Sequence, residues 1–466
     1  MSNSRDTIFA LSSGRLPAAI AVVRVSGPRA GDAIAALAGR VPEPRSAALL
    51  RLRNPRGGGQ SSSQSEAIDD ALVLWFPGPR SETGEDTAEF HLHGGPAVVA
   101  ALFSALGEIE GLRLAEPGEF TRRAFENGKL DLTRVEGLAD LIASETESQR
   151  RQAFRQMKGL LGDRAEQWRG RLTEALALVE AAIDFPDEGI VAEEVIRPAL
   201  VLASELEREI RGLVADSNRG ERLRDGLTVA ISGPVNVGKS SILNRLAKRD
   251  AAIVSPRAGT TRDAIEVHLD LGGFPVTVVD TAGIRDTADP IEEEGVRRAR
   301  ARAKAADLVL WVMDGARPRP VPPPPDLVAP DGPPVWVLLN KADLETGAVG
   351  IREGAEDTVG AAKDYRISAR TGAAFDDLVT GIAGFARQFF SVGTDASVIT
   401  RQRHRSALSE CVDALHRAAR EGSSWRREDI IAEELRLAAQ ALGRLVGKVD
   451  VENVLDVIFR DFCIGK

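Results

Sequence analysis

Cysteine, tyrosine and histidine are scarce in this chain, whose 466 residues include two cysteines, one tyrosine and five histidines. Cys411 and Cys463 cannot build a disulfide framework, and neither has metal-ligand neighbours at zinc spacing. No apolar run approaches the length needed to cross a bilayer. The opening MSNSRDTIFALSSGRLP has a short apolar stretch with no basic segment before it, so it does not read as a signal peptide, and a cytoplasmic chain with no membrane association is expected. Cationic excess is missing as well. With 60 Lys and Arg against 69 Asp and Glu, the formal net charge is −9, which argues against a broad nucleic-acid-coating surface and leaves room only for a local basic patch.

What is present is a soluble, globular composition, 43% hydrophobic and 28% charged, in a chain long enough for two or three domains. Up to about residue 125 the pattern is mixed α/β: Ala19–Val25 and Ala71–Phe76 are strand-like, and Ala97–Leu106 is helical. Between the strands, RGGGQSSSQS (Arg56–Ser65) reads as a flexible loop. From about Leu132 to residue 215 helical spacing takes over, with Leu172, Leu176, Val179 and Ile183 on one stripe and a turn at Asp184–Glu188. Strands and helices alternate from Leu227 to about Phe390, the signature of a parallel sheet with crossover helices; the proline-rich PRPVPPPPDLVAP inside it reads as a surface loop or polyproline segment. Helices return from about Ser397 to Ile458, with Leu435, Ala438, Ala439, Leu442 and Leu445 on one face. The economical expectation is an α/β domain inserted into a discontinuous helical domain, because insertions at surface loops cost little closure entropy.

The α/β segment carries phosphate chemistry. Gly233-Pro-Val-Asn-Val-Gly238-Lys239-Ser240 follows the strand LTVAIS and precedes the helical SILNRLA, the context a P-loop requires. Its glycines let backbone N–H groups curl around phosphates at a helix N-terminus, Lys239 reaches the β- and γ-phosphates, and Ser240 ligates Mg²⁺. Gly259-Thr-Thr-Arg-Asp263 reads as switch I, whose threonine ligates Mg²⁺ and senses the γ-phosphate. In Asp280-Thr-Ala-Gly283, Asp280 holds Mg²⁺ directly or through water and Gly283 senses the γ-phosphate. Asn340-Lys-Ala-Asp343 follows the strand Val335–Leu339; an aspartate there accepts from guanine N1–H and N2–H₂, a pattern adenine lacks. Ser368-Ala369 offers a backbone N–H to the guanine carbonyl oxygen. These five elements in order imply a guanine-nucleotide-hydrolysing G domain. The place where Ras-like proteins keep a water-orienting glutamine holds Ile284, so another polar group must act. The acidic run Asp286, Asp289, Glu292, Glu293 and Glu294 follows, and on residue type alone it reads as a solvated helix N-terminus.

With these motifs in place, the chain resembles the tRNA modification GTPase family called MnmE or TrmE over essentially its whole length. DTIFALSS, VVRVSGP, GEDTAEFHLHGGP, EPGEFTRRAFENGKLDLTRVEGLADLI and EAAIDFPDE are similar to that family's landmarks, and the terminal FCIGK resembles its CxGK signature. The resemblance implies a multidomain α/β protein: an α+β tetrahydrofolate-binding domain (1–127), a discontinuous helical domain (128–222 and 391–466) and an inserted P-loop, Ras-like G domain (223–390). It also implies a potassium-activated GTPase acting with the flavoprotein MnmG (GidA), as a heterotetramer or larger complex. Together they would add an aminomethyl or carboxymethylaminomethyl group to C5 of the tRNA wobble uridine. The one-carbon unit would come from 5,10-methylenetetrahydrofolate, with 5-formyltetrahydrofolate as a bound analogue, and a homodimer would form on the N-terminal domains. A ribosome-assembly or other regulatory GTPase is the alternative, and it has no reason to carry the N-terminal landmarks or CIGK.

Carried over residue by residue, the GTP-binding positions are Asn236, Val237, Gly238, Lys239, Ser240 and Ser241; Ser255, Pro256, Arg257, Ala258, Gly259, Thr260 and Thr261; Asp280, Thr281, Ala282 and Gly283; Asn340, Lys341 and Asp343; and Ser368 with Ala369. Ser240 and Thr261 match the Mg²⁺ ligands, and Asn236, Ser255, Arg257 and Thr260 the K⁺ ligands. Glu292 matches the catalytic glutamate, and Arg24, Glu89, Lys129 and Lys466 match the folate positions; Cys463 matches a cysteine with a suspected modification role. Taken by residue type alone, Arg24 reads as an edge-strand charge and Glu89 and Lys129 as solvated helix charges. Two departures stand out: Pro234 directly follows Gly233, with Val235 before Asn236, and Arg257 stands where the family has an apolar residue.

Overall fold

Burial follows two patterns that separate the chain's two sheets. In the first, apolar residues alternate: Ala21, Val23 and Val25 are buried on one strand and Ala88, Phe90 and Leu92 on its neighbour, as expected of a sheet with one covered face. In the second, the runs LTVAIS, LVLWVMD and VWVLLN are buried almost throughout, as parallel strands covered on both faces must be. The computed structural model describes residues 6–55, 66–184, 192–215, 217–249, 251–253, 266–280, 290–317, 319–330, 332–344, 350–352, 363–391, 398–422, 427–449, 455, 458–460, 462 and 464–465. They fall into two compact units: Met1–Ala139 with Gln156–Ala177 and Leu435–Lys466, and Asp140–Arg155 with Leu178–Glu434.

The first unit holds a six-stranded sheet in the order β3-β4-β5-β2-β1-β6. Its strands are β1 (Thr7–Leu11), β2 (Ala18–Ser26), β3 (Ala48–Arg53), β4 (Ala67–Phe76), β5 (Thr87–Gly94) and β6 (Leu112–Leu114). All pairings are antiparallel except β1 with β6. Helices α1 (Ala30–Ala38) and α2 (Pro96–Gly107) cover one face through Ala33, Ile34, Leu37, Val99, Leu102 and Leu106. Arg24 and Glu89 are directly opposed across β2 and β5 on the other face. The strand and helix expectations for this region hold, whereas Arg56–Ser65 lies outside the described residues.

The stretch after Leu132 is helical as its spacing predicts, and divides into α4 (Leu132–Ala143), α5 (Glu147–Met157) and α6 (Gly162–Asp184), preceded by α3 (Glu119–Glu126). One break comes at Thr146, where a capping box forms: the Thr146 hydroxyl accepts from Gln149 N–H at 3.4 Å, and Gln149 Oε1 accepts from Thr146 N–H at 3.1 Å. The other comes at Gly159, whose φ of 98° stops α5. On α6 the buried line is Trp168, Leu172, Ala175 and Val179, so Leu176 sits at its flank and Ile183 is 41% exposed.

The second unit contains α7 (Ala192–Ala215), which packs along α12 (Gln402–Gly422), with α8 (Ser217–Asp225) leading into the second sheet. Its strands are β7 (Leu227–Ser232), β8 (Glu266–Leu271), β9 (Phe274–Asp280), β10 (Leu308–Asp314), β11 (Val335–Asn340), β12 (Gly350–Arg352) and β13 (Lys363–Arg366). The order is β12-β13-β11-β10-β7-β9-β8, parallel apart from the two edge strands β8 and β12. Alternate strand residues face opposite sides. Leu227, Val229, Ile231, Leu310 and Val312 pack against α9 (Lys239–Ala247) and α11 (Phe375–Ser391), while Ala230, Val309, Trp311 and Val337 pack against α10 (Pro290–Ala305). Leu327, inside the proline-rich loop, is 1% exposed and closes that second layer. Helix α13 (Glu428–Val446) buries Leu435, Ala438, Leu442 and Leu445 as its spacing predicts, with Ala439 half-buried.

Leu310 is fully buried at the centre of β10. Leu310→Ala should destabilise this sheet by about 2–5 kcal/mol. Denaturant unfolding followed by tryptophan fluorescence would measure it, and a change below about 1 kcal/mol would refute a close-packed centre.

Candidate functional site: a guanine-nucleotide pocket

The P-loop leaves the C-terminal end of β7, the strand flanked by β10 and β9, where open parallel sheets place their ligands. Its backbone is committed to positive φ at three positions: Gly233 (141°), Asn236 (62°) and Gly238 (97°). A Cβ on Gly233 would lie 2.3 Å from the Val312 carbonyl oxygen, and one on Gly238 would lie 2.3 Å from Asn340 Nδ2, so both must be glycine. Helix α9 therefore starts with its N-terminal N–H groups facing the loop.

Lys239 is only 8% exposed. Its Nζ donates to the carbonyls of Gly233 at 3.0 Å and Pro234 at 2.7 Å. Burial pulls its pKa down, opposed by the nearby Asp280 charge. Asp280, at the end of β9, accepts from Ser240 Oγ at 3.2 Å. Burial pushes its carboxyl above the ordinary range against the pull of Lys239 and Ser240, and its buried Oδ1 has no hydrogen-bond partner among the described residues. A hydroxyl beside an unsatisfied carboxylate oxygen fits a small, hard divalent cation such as Mg²⁺.

Asn340 is 3% exposed and hydrogen-bonded on both sides of its amide. Nδ2 donates to the Val237 carbonyl at 2.9 Å, and Oδ1 accepts from Ala369 N–H at 2.9 Å. The Ser368 N–H donates to Ala373 O at 3.1 Å and the Ala369 N–H to Asn340 Oδ1 at 2.9 Å, which ties the backbone of the fifth motif into its own loop and to Asn340. Here Ser368 acts through its hydroxyl, which donates to Asp343 Oδ1 at 2.6 Å, while Arg370 pairs with Oδ2 at 3.0 Å. The Ser368 hydroxyl, acting against burial and aided by the backbone and Arg370, holds the Asp343 carboxyl below the usual aspartate range. Lys341 Nζ reaches the Asn236 carbonyl at 2.9 Å and Asp314 Oδ2 at 2.7 Å.

A cavity of about 560 Å³ opens between these elements, lined by Gly238, Ser241, Asn244, Arg245, Lys248, Asn340, Lys341, Asp343, Leu344, Ala369 and Arg370. The sequence reading missed Asp314, Arg245 and Arg370. Arg245 donates to the carbonyls of Ala369, Arg370 and Thr371, and so shapes the loop that carries Ser368. Its signal was helical spacing: Ser241, Arg245 and Lys248 fall on one face of the helix that Gly238 opens.

Ser255, Pro256, Arg257, Ala258, Gly259, Thr260, Thr261, Thr281, Ala282 and Gly283 lie outside the described residues, as do Cys463 and Lys466. Glu292 falls in the first turn of α10, with its side chain outside them. On the first sheet, Arg24 donates to Glu89 Oε1 at 2.8 and 3.1 Å and pairs with Glu82 at 2.6 Å; both Arg24 and Glu89 are mostly buried, on internal strands rather than an edge strand or a helix. Lys129 is exposed in the bend after α3, with its stem beside Gly84. Gly465 accepts from Ser12 Oγ at 2.7 Å, and Ser12 N–H donates to Val22 O, which brings the C-terminal segment close to the register of Arg24.

The opposite shifts of Asp280 and Asp343 separate their pH responses. A divalent cation held by Asp280 would need its ionised form, so its affinity would be full at neutral pH and would fall as pH drops through that raised pKa. Asp343 remains ionised to below the ordinary aspartate value of about 3.9. Titration of Mg²⁺ on nucleotide-bound protein should therefore show weakening affinity as pH falls towards that value, while guanine-over-adenine preference persists. Asp280→Asn should flatten the Mg²⁺ response; parallel loss of both properties would refute the separation.

The family model for the MnmE helical domain matches residues 132–463, and that for the GTP-binding protein TrmE N-terminus matches residues 7–129. A tRNA modification GTPase MnmE of Bradyrhizobium sp. (strain ORS 278) is 55% identical over 463 residues, covering 99% of each chain. The MnmE of Rhodopseudomonas palustris (strain ATCC BAA-98 / CGA009) is 55% identical over 100% of both. A solved structure of Era from Aquifex aeolicus is 27% identical and covers 40% of this chain and 66% of its own, with a TM-score of 0.26, too low to bear on the fold. On the two family models and the full-length relatives, this chain belongs to the MnmE family of GTPases.

Proposed function

We propose that this chain is a GTP hydrolase whose nucleotide cycle drives modification of the wobble uridine of tRNA; its full-length relatives are named tRNA modification GTPases. The observation that carries the nucleotide half is the buried Lys239 bonded to the P-loop carbonyls, next to a cavity that runs from Gly238 to Asp343, whose carboxyl is held below the usual aspartate range. An ammonium that is 8% exposed is costly to desolvate, and a phosphate offsets that cost. Asp343 accepts from guanine N1–H and N2–H₂ while Ser368 holds its other lone pairs. Ser240 and Asp280, with Thr261, would hold Mg²⁺, which when bound neutralises charge on the transferred phosphoryl group.

Hydrolysis lacks a glutamine after Gly283, where the chain has Ile284. In this reading Glu292 orients the attacking water, and Asn236, with Ser255, Arg257 and Thr260, binds K⁺, which adds positive charge between the phosphates. The Lys341 hydrogen bond to the Asn236 carbonyl, in a residue at φ 62°, supports a fixed direction for the Asn236 side chain. Residues 223–390 then form the G domain, inserted into a helical domain made of 128–222 and 391–466. Residues 1–127 bind the folate that carries the one-carbon unit. There Arg24 meets the anionic glutamate tail, Glu89 meets pterin N–H donors, and Lys129 and Lys466 complete the site. The protein works in the cytoplasm as a homodimer with the flavoprotein MnmG, and Cys463 has no role assigned.

Nucleoside analysis of tRNA from a deletion strain tests the function directly. Loss of the wobble-uridine modification is expected, and an unchanged nucleoside profile would sink the proposal. The cation reading has its own test: GTP hydrolysis should be faster in potassium than in sodium, and Asn236→Ala should erase the difference. Glu292→Ala should slow hydrolysis by roughly 10²–10⁴-fold with nucleotide binding intact. Equal rates of the parent in both salts, or a binding defect in Glu292→Ala as large as its rate defect, would overturn these roles.

A further inference from the structure

The sheet of the first unit carries a buried ionic network that the proposed activity does not use. Arg123 on α3 is 3% exposed and Glu119, one turn earlier, 5%. The Arg123 guanidinium donates to four segments at once: Asp6 O at 2.9 Å, Ser26 O at 3.4 Å, Glu85 Oε2 at 3.0 Å and Glu119 Oε1 at 3.0 Å. Ser26 Oγ adds a 2.9 Å bond to the same Glu85 oxygen and lies 2.7 Å from Thr83 Oγ1, and Asn127 Nδ2 holds the Thr83 carbonyl at 2.8 Å.

The bonds to Glu85 and Thr83 converge on the connection between β4 and β5, which also places Glu82 on Arg24 at 2.6 Å. Ser26 and Arg24 are two residues apart on β2 and therefore point to the same face. They are opposed on β5 by Thr87 and Glu89. Phe120, also on α3, lies beneath the Arg24 guanidinium at 5.9 Å. The network and the Arg24–Glu89 pair thus form one continuous surface, with α3 contributing to both.

Burying a guanidinium and its carboxylates costs desolvation that pairing scarcely recovers, and apolar side chains in place of the whole cluster often give equal or better stability. What such a network supplies is direction. A planar guanidinium offers donors at fixed angles, so the four acceptors must keep fixed relative positions. We propose that Arg123 is a positioning residue for folate: acting through Glu85, it holds the β4–β5 connection at the height where Glu82 and Glu89 orient Arg24 for the ligand. This rests on the folate reading of that site.

Calorimetric titration of the full-length protein with 5-formyltetrahydrofolate, beside hydrogen exchange, tests the role. Arg123→Met leaves Glu119 and Glu85 without this partner and should lower the melting temperature by several degrees. It should leave GTP hydrolysis at about 25 °C near the parent value, weaken folate binding by about tenfold, and speed exchange only in the β4–β5 connection. Arg123→Lys should recover part of the affinity, because it restores charge without the fork. Folate affinity within about twofold of the parent, or faster exchange throughout β1–β6, would overturn the positioning role. A parent protein that does not bind 5-formyltetrahydrofolate would overturn the folate reading itself, and the positioning role with it; that result is distinct from a binding parent with an indifferent variant.

Discussion

The side-chain amide of Asn340 is the point on which the nucleotide pocket depends. With one hydrogen bond to the P-loop at Val237 and one from the guanine-side loop at Ala369, it joins the loop that meets phosphates to the loop that meets the base. A buried amide must have both ends satisfied, so its two partners cannot drift apart without leaving a costly orphan. Gly238 is required because Asn340 occupies the space its Cβ would fill. The neighbouring Lys341 repeats the device one residue on, tying the Asn236 carbonyl to Asp314 at the end of β10. The sheet thus delivers β7, β10 and β11 side by side, and two consecutive residues turn that strand order into a fixed pocket.

The nucleotide motifs were legible because phosphate and guanine chemistry demands particular residues at particular distances, and those distances are short in sequence. What short-range spacing could not show is how the motifs are tied to one another: Asn340 Oδ1 takes the Ala369 N–H, a partner far along the chain. Helical character after Leu132 was legible from periodicity, but its division was not, because the breaks lie in a single capping box and a single positive-φ glycine. Thr146 and Gln149 at capping-box spacing were a usable signal there.

Arg123 illustrates the limit more sharply. In sequence it sits in EFTRRAFE beside Arg122, with nothing to mark one arginine as buried. Its burial is set by Asp6, Ser26 and Glu85, which come from three other segments of the chain. Arg24 and Glu89 were misread from residue type for the same reason: whether a charge lies on an edge strand or inside a sheet is decided by strand order. Here β2 is flanked by β5 and β1, and the pair ends up largely buried.

The two sites share an electrostatic plan although their folds differ. Each holds a cation mostly out of water with a carboxylate close by: Lys239 with Asp280 in one, Arg24 with Glu89 and Glu82 in the other. Such pairs gain little stability, because desolvation cancels most of the attraction. Their consequence is readiness to exchange partners. On the proposed function, a phosphate arriving at Lys239, or an anionic tail arriving at Arg24, would meet a cation whose desolvation cost was met on folding, and at Arg24 the exchange would free Glu89 for a ring N–H. The overall charge of −9 sharpens the effect: in a molecule with an acidic excess, anions are attracted only where the fold has gathered cations.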